Sequence, residues 1–230
     1  MTKRHPRTAD TDRSAIFNSF FPELENKSVL DFGGNRGNLL HFQPNINQSK
    51  YTCVDIDQNL LDEGAEEFTT ANWVYYNRWN MHYNPSGNQD ESFPEVEKHD
   101  YVWSFSVFSH TALDDTIQSI QWLVSKAKEK VVVSFLNFDT EFRQFFYNKR
   151  VSAFSSCEDI VNMDLTGINN FYLINNSNVI TNEDSLSATE EDKMILSFID
   201  SDVIINRLAE VGITATVTKS LVPFLVIDVS

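Results

Sequence analysis

The stretch SVLDFGGNRGNLLHF, residues 28–42, decides the fold. SVLDF is a short apolar run of strand type, and NLLHF carries a helical pattern. Between them, Gly33, Gly34 and Gly37 fall within five residues of a chain that has only seven glycines. Such concentration at a strand-to-helix junction points to a backbone that must approach a ligand closely, because open α/β sheets bind their ligands at the carboxyl ends of strands.

Working outward, the same alternation continues. KYTCVDI (50–56), NWVYY (72–76), DYVWSFS (100–106) and KVVVSFL (130–136) read as further strands, rich in β-branched and aromatic residues. DQNLLDEGAEEF lies between the second and third strands, and Leu113, Ile117, Ile120, Leu123 and Ala127 recur at helical spacing between the fourth and fifth. Runs too apolar to leave one face in water imply a parallel sheet covered on both sides. Upstream, a polar leader to about Asp12 precedes a short helix that Pro22 stops. Residues 137–200 break the pattern with Phe- and Asn-rich sequence, which predicts a hairpin-bearing cap. Finally, a helix closed by Gly212 is followed by ITATVTKSL and PFLVIDV, two strands expected to pair antiparallel. The expected fold class is α/β, a Rossmann-like seven-stranded mostly parallel sheet with an antiparallel last strand plus a lid insertion. The expected organisation is one domain over 1–230 with a cap at about 137–200.

Composition narrows the function. Eighteen Lys plus Arg against 33 Asp plus Glu give a net charge of −15, which disfavours nucleic acid as a partner, since affinity for it comes from cationic neutralisation of phosphates. Cys53 and Cys157 show no metal-ligand spacing, so no metal site and no disulfide framework is expected. No run reaches the roughly 18 apolar residues of a membrane span. The expectation is a cytoplasmic protein acting on a small molecule, with no nucleic acid or membrane partner and an oligomeric state the sequence leaves open.

The turn D-F-G-G-N-R-G, with an acid two positions before its first glycine, is similar to the D-x-G-x-G-x-G motif of class I S-adenosylmethionine-dependent methyltransferases, with Asn35 in place of the middle glycine. VDID after the second strand matches the family's ribose-acid motif, HDYVWSFSVFSHT resembles its fourth-strand motif, and the two final strands match its sheet ending. The resemblance implies S-adenosylmethionine as cofactor. It implies that Asp31, Gly33, Gly34 and Gly37 line the methionine end, that Asp55 accepts from the ribose hydroxyls and that Ile56 packs on adenine. The family's acid after the third strand is missing from NRWN, so Arg78 or Trp79 takes that place. Ser104 and Phe105 would lie beside the methionyl part. Apart from the resemblance, Asp31 also reads as a helix-capping carboxylate.

Methyl transfer needs an aligned acceptor and, where the acceptor is protonated, a base. His110 reads equally as that base and as a cap of the following helix. His5 and His99 read as surface residues and His82 is undecided. In RWNMHYNPSG (78–87), Tyr83 is the candidate substrate contact, an aromatic face for a cation, while Met81 reads at least as well as a hydrophobic clasp. Asn137, at the end of the fifth strand, and Tyr172, in the cap, are candidate catalytic groups by position. The aromatic spacing at 138, 142, 145 and 146 reads as core. The leading reading is a methyltransferase of a small-molecule metabolite. Its rivals are a methyltransferase-fold enzyme that cyclises the aminocarboxypropyl arm of S-adenosylmethionine to azetidine-2-carboxylic acid with release of methylthioadenosine, a non-catalytic binding scaffold, and a nicotinamide oxidoreductase that the glycine spacing disfavours.

Overall fold

The computed structural model describes residues 8–80, 82–137, 166–174, 178–186, 195–218 and 223–229. Five parallel strands, β1 (Val29–Phe32), β2 (Tyr51–Asp55), β3 (Asn72–Tyr75), β4 (His99–Ser104) and β5 (Ala127–Ser134), form the body of the sheet. With β10 (Thr216–Thr218) and β11 (Phe224–Asp228) the order is β10-β11-β5-β4-β1-β2-β3, and only β11 runs against its neighbours. The expected fold class is thus the observed one.

Helices cover both faces because the strands are apolar on both. Toward one face Leu30, Val54, Val102, Val131 and Val133 pack with α4 (Leu113–Lys126) and α5 (Ser201–Glu210), through Ile117, Ile120, Leu123, Ile204 and Leu208. Toward the other, Val29, Cys53, Tyr101, Trp103 and Val132 pack with α1 (Thr8–Phe20), α2 (Asn38–Phe42) and α3 (Gln58–Glu67). Phe17 on α1 and Phe21, just past its end, are fully buried against Trp103 and Tyr101, with centroids at 5.2 and 4.7 Å. Full burial of such rings contributes roughly 1.5 to 3 kcal/mol each, which holds α1 onto the sheet beside the glycine turn.

Two boundaries differ from the sequence reading. α1 begins at Thr8, inside the stretch read as a leader. The run read as one fifth strand divides: β5 ends at Ser134, while Leu136–Asn137 form β6, which pairs in parallel with β9 (Ile195–Ile199) in a second sheet. That sheet, ordered β6-β9-β7-β8, contains the expected hairpin, β7 (Asn170–Ile174) against β8 (Asn178–Thr181). The aromatic pattern at 138–146 and Cys157 lie outside the described residues, as do His5 and Met81. Among the described residues no helix is long and apolar enough to cross a membrane, and no cluster of His, Cys, Asp or Glu could hold a metal.

Candidate active site

A cavity of about 390 Å³ opens over the carboxyl ends of β1, β2 and β4, within the usual range for small-ligand sites. Its floor is the glycine turn. Gly33 has φ +73°, and a Cβ there would stand 2.1 Å from Val107 Cγ2, so no other residue keeps this path. At Gly34 a Cβ would come within 2.7 Å of the Asp31 carboxylate. Asn35 follows at φ +58°, a left-handed conformation that Asn is among the side chains to tolerate.

Two carboxylates, Asp31 buried and Asp55 partly buried, anchor this floor. Asp55 accepts the Asn35 main-chain N–H at 2.7 Å on one oxygen and the Asp57 N–H at 3.0 Å on the other. Burial raises its pKa against the opposing effect of those main-chain donors. Asp31 is 3% exposed and accepts the Tyr51 hydroxyl at 2.6 Å. It does not cap α2, whose N-cap is Gly37 with no side-chain bond. Burial, partly offset by the Tyr51 hydrogen bond, pushes its pKa up to about 7.

That shift makes a stability prediction. Between about pH 3.8 and 7 native Asp31 holds a proton the unfolded chain has released, so its contribution is complete below 3.8, is lost as pH rises toward 7, and then stays level. The span is on the order of 1 to 4 kcal/mol. Asp31→Asn should therefore gain stability relative to wild type as pH rises across this window. Urea unfolding at pH 4.5 and pH 8 measures it, and parallel curves for the two proteins would count against the buried acid.

The rim supplies the one imidazole in the cavity wall among the described residues. His110 Nδ1 lies 2.8 Å from the Ile195 carbonyl, which can only accept, so the ring proton sits on Nδ1 and Nε2 is left as acceptor. Tyr83 Oη is 3.3 Å from Nε2. Burial lowers the pKa of His110 and raises that of Tyr83, which keeps the imidazole neutral and the phenol protonated near neutral pH. Asn80, not anticipated from sequence, holds this rim together: its amide donates to the His110 carbonyl at 3.1 Å, and its Oδ1 accepts the main-chain N–H groups of His82 and Tyr83. Asn80 does this through an Asx turn, whose signature in the Asn-rich loop is visible in retrospect. His82 packs edge-on against Tyr83 at 4.5 Å.

The remaining candidates divide. Asp31, Gly33, Gly34, Asp55, Ile56, Arg78, Trp79, Phe105, His110 and Tyr83 line the cavity. Arg78 is bound there by Asp115 at 2.7 Å, a carboxylate from α4 that occupies the wall where the third strand has no acid. Gly37, Ser104, Asn137 and Tyr172 do not line it. Gly37 faces Trp73. Ser104 is fully buried in β4. Asn137 is buried in β6, in register with Ile199. Tyr172 is fully buried, and its hydroxyl accepts the first N–H of α4, from Leu113, at 2.9 Å, so the tyrosine rather than His110 serves that helix end. His99 also departs from expectation: it is 6% exposed, bonded to Thr52 and to the Glu97 carbonyl, and burial lowers its pKa.

Leu186 and Ile195, from the second sheet and the loop after its hairpin, roof the cavity beside Ala112 and Trp79. The roof is tied down by Arg207 of α5, which reaches Asp184 at 2.9 Å and Asp114 at 2.7 Å, while Ser185 donates to Asp114 at 2.7 Å. No local sequence signal marks Leu186 or Ile195, since tertiary packing alone brings them to the site.

Residues 30–129 match a family model described as a methyltransferase domain. No curated protein matches the chain in sequence. Among solved structures, magnesium protoporphyrin IX methyltransferase from Synechocystis PCC 6803 with bound S-adenosylhomocysteine is similar over 99% of this chain and 90% of its own, at TM-score 0.54 and 12% identity. An S-adenosylmethionine-dependent methyltransferase from Clostridium acetobutylicum ATCC 824 is similar over 98% and 93%, at TM-score 0.55 and 11% identity. A glycopeptide N-methyltransferase complexed with S-adenosylhomocysteine covers 96% and 90%, at TM-score 0.54 and 9% identity. The matched segment, which holds the glycine turn, Asp55 and His110, is thus similar to a methyltransferase domain, and the chain as a whole shares the fold of these methyltransferase structures.

Proposed function

We propose that this protein transfers a methyl group from S-adenosylmethionine to a small molecule with an apolar body and a weakly acidic O–H or N–H. The observation that carries the reading is that Gly33, Gly34, Asp55 and His110, an imidazole with its Nδ1 proton held and Nε2 as acceptor, line one cavity. The unbonded side of each Asp55 oxygen is the group to accept ribose hydroxyls, and the Cβ-free surface over Gly33 and Gly34 is the bed for the sulfonium end. Two neighbours are named for protoporphyrin and glycopeptide methylation, which supports an acceptor of small-molecule size. The 137–200 segment serves as the cap of a single cofactor-binding domain.

When bound, the cofactor supplies a methyl group on a positively charged sulfur. The chain's part is to align the acceptor beneath Ala112, Leu186 and Ile195 and, once the acceptor's O–H or N–H has displaced the Tyr83 hydroxyl from His110 Nε2, to take its proton on that nitrogen as the new bond forms. Nδ1–H held by the Ile195 carbonyl fixes the tautomer that can do so. Tyr83 orients the imidazole from the open side.

Thermal unfolding tests the cofactor assignment. S-adenosylhomocysteine at about 100 times its dissociation constant should raise the midpoint by roughly 5 to 10 °C, and NAD should leave it unchanged. Turnover is tested by mass spectrometry with a panel of phenols and aromatic amines. Acceptor-dependent S-adenosylhomocysteine is expected, with the cofactor stable alone. Rapid methylthioadenosine without any acceptor would instead establish cyclisation of the cofactor's own arm.

A further inference from the structure

We infer that Arg13 is the carboxylate clamp of the cavity and so fixes which way the cofactor lies; the inference rests on the cavity being the S-adenosylmethionine site. Among the described residues, five carboxylates, Asp31, Asp55, Asp57, Glu91 and Asp115, line the cavity, against two arginines. Arg78 is already paired with Asp115 at 2.7 Å. Arg13 forms no ion pair among the described residues. In a cavity so rich in acids, a ligand with a carboxylate is repelled unless one cation stands ready for it, and Arg13 is the cation left.

Its placement is also built. The Arg13 guanidinium lies 5.1 Å over the Phe105 ring. Phe105 stacks on Trp103 at 5.9 Å and 10°, and Trp103 meets Phe17, four residues after Arg13 on α1, edge to face at 5.2 Å. A ring over the face of a guanidinium does not compete for its in-plane N–H groups, the edge a carboxylate engages bidentately.

Position gives direction. Arg13, Phe105 and Trp103 belong with the α1 side of the sheet, whereas Ile56, Phe32 and Phe93 pack with the α4 side. Asp55 stands between them at the end of β2. The amino-acid arm therefore runs toward α1 and the base toward the α4 side. Asp31 is left to the arm's ammonium, and Arg13 to its carboxylate.

The probe is S-adenosylmethionine against its decarboxylated form, which differs only by the carboxylate, titrated calorimetrically into wild type, Arg13→Ala, Arg13→Gln and Arg13→Lys. Wild type should bind the intact cofactor at least about tenfold more tightly. Arg13→Ala and Arg13→Gln should bring the two within about twofold, and Arg13→Lys should keep part of the preference. The ratio is internal to each protein, so partial destabilisation does not move it. Retention of the wild-type ratio in folded Arg13→Gln overturns the clamp, as does equal binding of both compounds by wild type, and either result leaves the cofactor site standing. Binding of neither compound by wild type removes the cofactor site itself and the clamp with it.

Discussion

Replacing His110 by alanine is expected to lower turnover by about 10² to 10⁴-fold, the usual contribution of a positioned general base. The dissociation constant for S-adenosylhomocysteine should stay within about threefold of wild type. The separation arises because His110 is assigned to the acceptor, whereas Asp55 and the glycine turn, at the ends of β2 and β1, are assigned to the cofactor. Burial holds the imidazole below its ordinary pKa of 6.5, so wild-type turnover should rise with pH to a plateau reached at or below neutrality. That limb should vanish in the variant. Steady-state rates on the first acceptor found in the panel, measured from pH 5 to 8, check both statements. A variant that keeps the limb places the base elsewhere.

The second large effect is at Asp55. Asp55→Ala removes the proposed acceptor of two ribose hydroxyls and also releases the Asn35 and Asp57 main-chain groups that the carboxylate holds. With roughly 1.5 to 3 kcal/mol for each charge-assisted contact, cofactor affinity should fall by at least about a hundredfold. Asp55→Asn keeps one acceptor oxygen and should lose less. Calorimetric titration with S-adenosylhomocysteine distinguishes these cases, and an unchanged constant in folded Asp55→Ala would remove the ribose assignment.

Where local sequence and tertiary demand agree, the chain is legible. The glycine turn, the apolar strands and the 113–123 helix each have a period or a backbone requirement that only one structure satisfies. Legibility fails where a side chain's partner is remote. Ser104 has the right strand position but points into packed interior. Tyr172, placed over the site by position alone, spends its hydroxyl on the N-terminus of α4. The division of 130–136 between two sheets is invisible to periodicity, since Val131, Phe135 and Leu136 suit either. Arg13 lies in a helix with no strong amphipathic pattern, and its meaning comes from Phe105, 92 positions later. His99 reads as a surface residue in the charged stretch EVEKHD, yet Thr52 on a non-adjacent strand draws it in.

The bond from His110 Nδ1 to the Ile195 carbonyl joins two properties that an enzyme would otherwise vary separately. Ile195 belongs to the roof that shapes the acceptor space, and its carbonyl dictates the tautomer of the proposed base. A change of acceptor achieved by sliding β9 would release the Nδ1 proton and disable the base in the same step. Evolution toward a new acceptor is therefore channelled into side chains such as Leu186 and Trp79, while the backbone of β9 is held in place by the chemistry it supports.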